Sequence, residues 1–144
     1  MTEDAARWRA EQAERAQYHV QANRRRSEDE AAKAQVMIDR FVERATQAGL
    51  PTEELTARPW SGTGRYRTGV VGWFLRRTGS VGVGTDGRFY VLNVAPVPLG
   101  RWRKVHIDPS PPPLFVGKGG GDGETFALDE LLEMRLHWSD QGSG

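Results

Sequence analysis

The chain has 144 residues and a mass of 16.1 kDa, the size of one domain or of one domain with an appendage, which excludes two large domains. Twenty Lys and Arg stand against 19 Asp and Glu, so the formal net charge of +1 selects no class of partner by itself. The absence of cysteine excludes a disulfide framework, a thiol nucleophile and any cysteine-ligated zinc or iron–sulfur centre.

The opening residues are charged throughout and carry no apolar core of a signal peptide, and no stretch approaches the roughly 18 apolar residues of a membrane span. The expectation is a soluble cytoplasmic protein. From Thr2 to Ala48 there is no Gly and no Pro, and Ala, Glu, Gln and Arg dominate, so residues 1–50 read as one long amphipathic helix. Thr2 can cap it, Glu3 and Asp4 suit the positive end of its dipole, and Gly49 with Pro51 ends it. Ala31, Ala34, Ile38, Phe41, Ala45 and Ala48 alternate steps of three and four, a heptad seam of coiled-coil spacing. Carried backwards, the register reads Glu3, Ala6, Ala10, Ala13, Gln17, Val20, Arg24 and Ser27, which is weakly apolar. A break at residues 24–27 is the alternative, because Ser27 and Glu30 have capping-box spacing. Arg is itself a good helix former, and the continuous helix is the preferred reading. So little apolar surface cannot hold the first half by its own packing, and a protein partner or a second copy is expected along it.

Residues 51–144 read as a small β-rich domain. Candidate strands are residues 54–57, 69–76, 80–85, 88–94, 104–107 and 114–117, separated by turn signals. Asp86-Gly87 predicts a tight hairpin with positive φ at its central residues, and Gly72, Gly82 and Gly84 suggest bulges or close passage of the long helix across the sheet. The expected core is Val70, Trp73, Leu75, Val81, Val83, Phe89, Val91 and Val94. Residues 117–123, GKGGGDG, read as a mobile connector; they lack the Ser or Thr and the immediate helix that a phosphate-binding P-loop needs. Residues 126–136 read as a short helix capped by Thr125 or Asp129, with Leu128, Leu131, Leu132 and Leu136 inward. The fold class is therefore α+β: a long N-terminal helix packed on a small antiparallel meander or partly open barrel, with a short C-terminal helix.

The charge is partitioned. Between Arg58 and Lys104 nine basic residues face Asp86 alone, with seven aromatic residues interleaved, whereas residues 105–144 hold two basic and seven acidic groups. Arginine pairs with phosphate and aromatic faces stack bases, so this segment is a candidate anion or nucleic-acid surface. Its candidate residues are Arg65, Arg67, Arg76, Arg77, Arg101 and Arg103, with Trp60 and Trp102 as stacking platforms at loop edges. The competing reading is that the aromatics are core and the arginines are neutralised internally. For catalysis the inventory is thin: His19, His106 and His137 have no ligand at metal spacing, His106 with Asp108 is an isolated pair, and Ser80 and Ser110 are lone hydroxyls. No catalytic residue, metal site or cofactor is implied.

The runs YRTGVVGWFLRR (66–77), VGTDGRFYVL (83–92) and DGE before LDELL (122–132) resemble small proteins of high-GC actinobacteria with no established activity. The resemblance covers nearly the whole chain and implies an intracellular accessory protein, without assigning a role to any residue. The expected function is a non-enzymatic binding or scaffolding module. The alternatives are a nucleic-acid or ribonucleoprotein binder through residues 58–104, and an enzyme acting on a phosphorylated small molecule through the basic face and the Gly-rich loop.

Overall fold

The structure, a computed structural model, describes residues 2–117 and 125–138. Helix α1 (Thr2–Gln47) runs unbroken for 46 residues, about 69 Å at 1.5 Å per residue, so Arg24–Ser27 is helical and no second N-terminus forms there. Its end is closed by Gly49, whose φ of 69° lies in the left-handed region, with the Leu50 amide bonded to the Ala45 carbonyl.

Strands β1 (Glu53–Pro59), β2 (Tyr66–Phe74), β3 (Val81–Gly84) and β4 (Phe89–Val91) pair antiparallel in sequence, as the meander predicts. The last strand, β5 (Asn93–Val94), differs: it lies parallel to β1, so the sheet is mixed, in the order β4-β3-β2-β1-β5. This order forces curvature. Only Leu92 separates β4 from β5, yet they occupy opposite edges, which in a flat sheet would lie about 19 Å apart. Val91 to Asn93 spans about 7 Å of chain, so the sheet curls until its edges meet. Leu92 is the joint: its amide donates to the Ser80 carbonyl beside β3, and its carbonyl accepts from the Arg58 amide of β1, both at 2.8–2.9 Å.

The curl creates two cores. Leu55, Ala57, Tyr90, Leu92 and Ile107 fill the inside of the curl, with Val70, Phe74 and Val94 against them. The outer face carries Trp73, Leu75, Val81, Val83 and Phe89, covered by Ala34, Ile38, Phe41 and Ala45 of α1. The side-chain alternation of a strand explains the division, since adjacent Trp73 and Phe74 enter different cores. Trp73 meets Phe41 edge to face, centroids 5.6 Å apart at 82°, and its indole N–H donates to the Leu50 carbonyl at 3.2 Å. Val91 departs from the expected core and is exposed. The strand glycines serve the curl, not the helix: a Cβ on Gly72 would overlap the Val83 carbonyl oxygen, and one on Gly82 would crowd Leu55 and Leu92. The 85–87 loop also differs from the expected turn. The Gly84 amide bonds the Arg88 carbonyl around three residues, and only Gly87 takes positive φ, 82°. That loop docks on α1 through a 2.7 Å bond from the Gln35 side chain to the Gly87 carbonyl.

Residues 104–107 are extended but form no strand; the Val105 amide bonds the Arg67 carbonyl while Val105 and Ile107 turn inward. Strand β6 (Phe115–Gly117) pairs with β7 (Thr125–Ala127), where Phe126 and Ala127 are expected to open the helix and Thr125 to cap it. Helix α2 (Leu128–Leu136) consequently starts two residues later than expected, and neither Thr125 nor Asp129 is its cap residue, a position held by Ala127. Its Leu128, Leu131 and Leu132 complete the outer core. The expected Gly-rich connector lies, apart from Gly117, outside the described residues.

Candidate binding surfaces

The six candidate arginines have different surroundings. Arg65 turns inward, donating to the Thr56 hydroxyl and carbonyl and to the Gly79 carbonyl, with its guanidinium 5.7 Å from the Phe74 ring centroid. Burial, and then the like charge of Arg58, lower its pKa from the ordinary value, as expected of a cation used as a structural bolt. Arg67 pairs with Glu54 at 3.1 Å, and that bond, joined by the Gly69 amide, holds the Glu54 carboxyl below its ordinary value. Arg76 lies over Phe126 and Arg77 over Trp138, at 5.4 and 5.0 Å from the ring centroids. Arg65 is thus committed to the body, whereas Arg67 and Arg77 remain exposed.

The remaining candidates lie on two segments that are joined to each other. Loop 60–65 joins β1 to β2, and a short 3-10 turn η1 (Gly100–Trp102) lies in the following connector. Arg101 ties them, donating to the Thr63 carbonyl and hydroxyl at 3.0 and 2.9 Å. Tyr66 fixes the connector from below. Its hydroxyl accepts the Val97 amide at 3.1 Å, and its ring lies so close to Gly100 that a Cβ there would come within 2.7 Å. On this platform Trp60 and Trp102 stand 70% and 80% exposed, joined by Leu99, also 70% exposed. Leu99 holds φ of 59°, the only non-glycine with positive φ among the described residues, a strain of order 1–3 kcal/mol that the neighbouring turn must offset. Arg58 and Arg103 are exposed beside these segments. Leu99 was missed by sequence reasoning because neither its φ nor its exposure has a signature in composition.

A second surface is the first half of α1. Every residue from Thr2 to Asp29 is exposed except half-buried Ala22, and among the described residues the first hydrogen bond to the body is made by Glu30, which accepts the Leu114 amide at 3.0 Å. Trp8, Tyr18 and Val20 are exposed along it.

Apart from His106 with Asp108, the catalytic candidates of the sequence stay apart among the described residues. His106 and Asp108 bond at 2.8 Å with both side chains more than 80% exposed, outside any cleft that could exclude water. Among the described residues no three His, Asp or Glu side chains cluster as a metal site, and no helix is long and apolar enough to cross a membrane. A groove of about 290 Å³ between β4 and β6 is lined by Val81, Phe89, Val91, Phe115 and Val116 with Arg76, Ser80 and Asn93, and among the described residues no carboxylate or imidazole lies on its walls. No family model, no curated protein and no solved structure matches the chain.

Proposed function

We propose that the protein is a non-enzymatic, cytoplasmic binding or scaffolding module: a compact β body that presents a free helix for association. The observation that carries this reading is the bare first half of α1, some 42 Å of helix that buries nothing of its own. An isolated helix with this composition is marginal in water, so its retention as regular structure calls for a partner surface. The experiment is deletion of residues 1–26. The truncated chain should keep a thermal midpoint close to that of the dilute full chain and should no longer associate. A large fall in the midpoint would mean that the body needs this segment for its own packing, and would contradict the reading.

Nucleic-acid binding is a second reading, supported by the exposure of Trp60 and Trp102 beside Arg101 and Arg103. Under it, affinity falls linearly in log salt, and Trp102→Ala or Arg103→Ala weakens binding to any sequence alike. No retention on single-stranded or double-stranded polymers at about 50 mM salt would remove it, because low salt is the condition most favourable to phosphate contacts.

A further inference from the structure

We infer that the free half of α1 pairs with the same segment of a second copy of this chain, antiparallel about a two-fold axis near Arg15. The inference rests on the reading of that segment as an association helix and adds its occupant and orientation. It starts from a single heptad register that runs the length of α1 and is used differently in its two halves. Seam positions Ala34, Ile38, Phe41 and Ala45 are buried under the chain's own β body, whereas Glu3, Ala6, Ala10, Ala13, Gln17, Val20, Arg24 and Ser27 are bare.

Sterics choose the orientation. Each body sits on the same line of the helix that a partner would follow. In a parallel pair both bodies would have to fit between helix axes about 8–10 Å apart, which side chains alone fill. In an antiparallel pair each body lies beyond the other chain's N-terminus. The bare stretch is self-complementary in length, because the partner helix begins where the Glu30–Leu114 contact starts the body.

Charge chooses the same orientation. A parallel pair stacks Glu3 on Glu3 and Arg24 on Arg24 at seam positions, placing like charges face to face. The antiparallel register that sets Ala10 opposite Val20 and Ala13 opposite Gln17 puts Arg24 opposite Ala6, one layer from the partner's Glu3. On the flank it brings Arg7 toward the partner's Glu28. Both pairs occur twice, as an isologous interface requires.

The chain has no cysteine, so single thiols report the geometry directly. Full-length Ala10→Cys and Val20→Cys, both on exposed helix, are oxidised separately and as an equimolar mixture. The mixture should form the disulfide-linked dimer severalfold faster than either variant alone, because residue 10 faces residue 20 and neither faces itself. Equally fast cross-linking of each variant alone would overturn the antiparallel order while leaving helix-mediated association standing. No cross-linking in any arm, with a monomer by sedimentation, would overturn pairing with a second copy. A charge exchange gives an independent arm: Glu28→Arg should weaken self-association roughly 2- to 30-fold at low salt, and adding Arg7→Glu should restore it. Residues 7 and 28 lie about 30 Å apart on one helix, so rescue can arise only between chains; failure of rescue would overturn the register.

Discussion

Arg65 and Arg103 carry the same charge within one basic segment, and their surroundings give them opposite uses. Arg65 satisfies three acceptors, two on Thr56 of β1 and one at Gly79 in the loop after β2, so Arg65→Ala should destabilise the body by about 1–3 kcal/mol, whereas Arg103→Ala should stay within about 0.5 kcal/mol; urea unfolding separates the two. Arg101 is intermediate, since its removal frees loop 60–65 as well as a charge, which makes Arg103 and Trp102 the cleaner test of any polyanion contact. At the core, Trp73→Ala leaves a void under Phe41 and an unpaired Leu50 carbonyl, and should cost about 3–5 kcal/mol. Glu54 supplies a pH signature. Its folded-state pKa is lowered from 4.5, first by the Arg67 bond and then by the Gly69 amide, so the folded state holds its proton less tightly than the unfolded chain does. Stability from this group is present above 4.5 and is lost as pH falls through the lowered folded value. The thermal midpoint should therefore fall less steeply on acidification for Glu54→Gln than for the parent; parallel acid profiles would contradict the assignment. The sequence shows nine bases against one acid in residues 58–104, but not which of them would meet Thr56, Glu54 or an aromatic ring, because those partners are brought in by pairing across strands.

Elements were legible in proportion to how local their causes are. The long helix follows from a run free of Gly and Pro, and Arg24–Arg26 does not break it because three good helix formers in succession favour propagation over a new start. The hairpin position is equally local, marked by Asp86-Gly87, although its length is set by the bond from Gly84 to Arg88. Three features depend on distant chain and were not readable. β5 turns parallel to β1 because the sheet curls; β7 forms because β6 offers it an edge; residues 104–107 stay outside the sheet because a single bond to Arg67 and the burial of Val105 and Ile107 already satisfy them. Three residues are too few to carry strand periodicity, so Phe126 and Ala127 read from sequence as the start of the helix. The curl gives an element-scale prediction. Gly72→Ala forces apart β2 and β3 at the Val83 carbonyl and should unfold or loosen the body, seen as lost dispersion of its amide resonances, whereas Gly62→Ala meets open space and should cost only the strain of its positive φ.

At the scale of the molecule, the two halves of one helix differ: its second half closes the outer face of a curled sheet, and its first half carries the same seam exposed. Paired antiparallel, two such chains would hold their β bodies at opposite ends of a shared rod, with the Trp60, Leu99 and Trp102 platform repeated on each. Such a seam would suit reversible assembly, since pairing would bury few apolar layers and salt would screen the charged pairs at both ends. The dimer should accordingly loosen with rising ionic strength while the far-ultraviolet signal of the body persists. The most direct measurement of the central claim is sedimentation equilibrium of the full chain from about 1 to 100 µM, a range in which a weak dimer gains population by mass action. Antiparallel pairing predicts a rise from 16.1 kDa toward twice that mass, abolished by deleting residues 1–26. A constant 16.1 kDa across the range would contradict it.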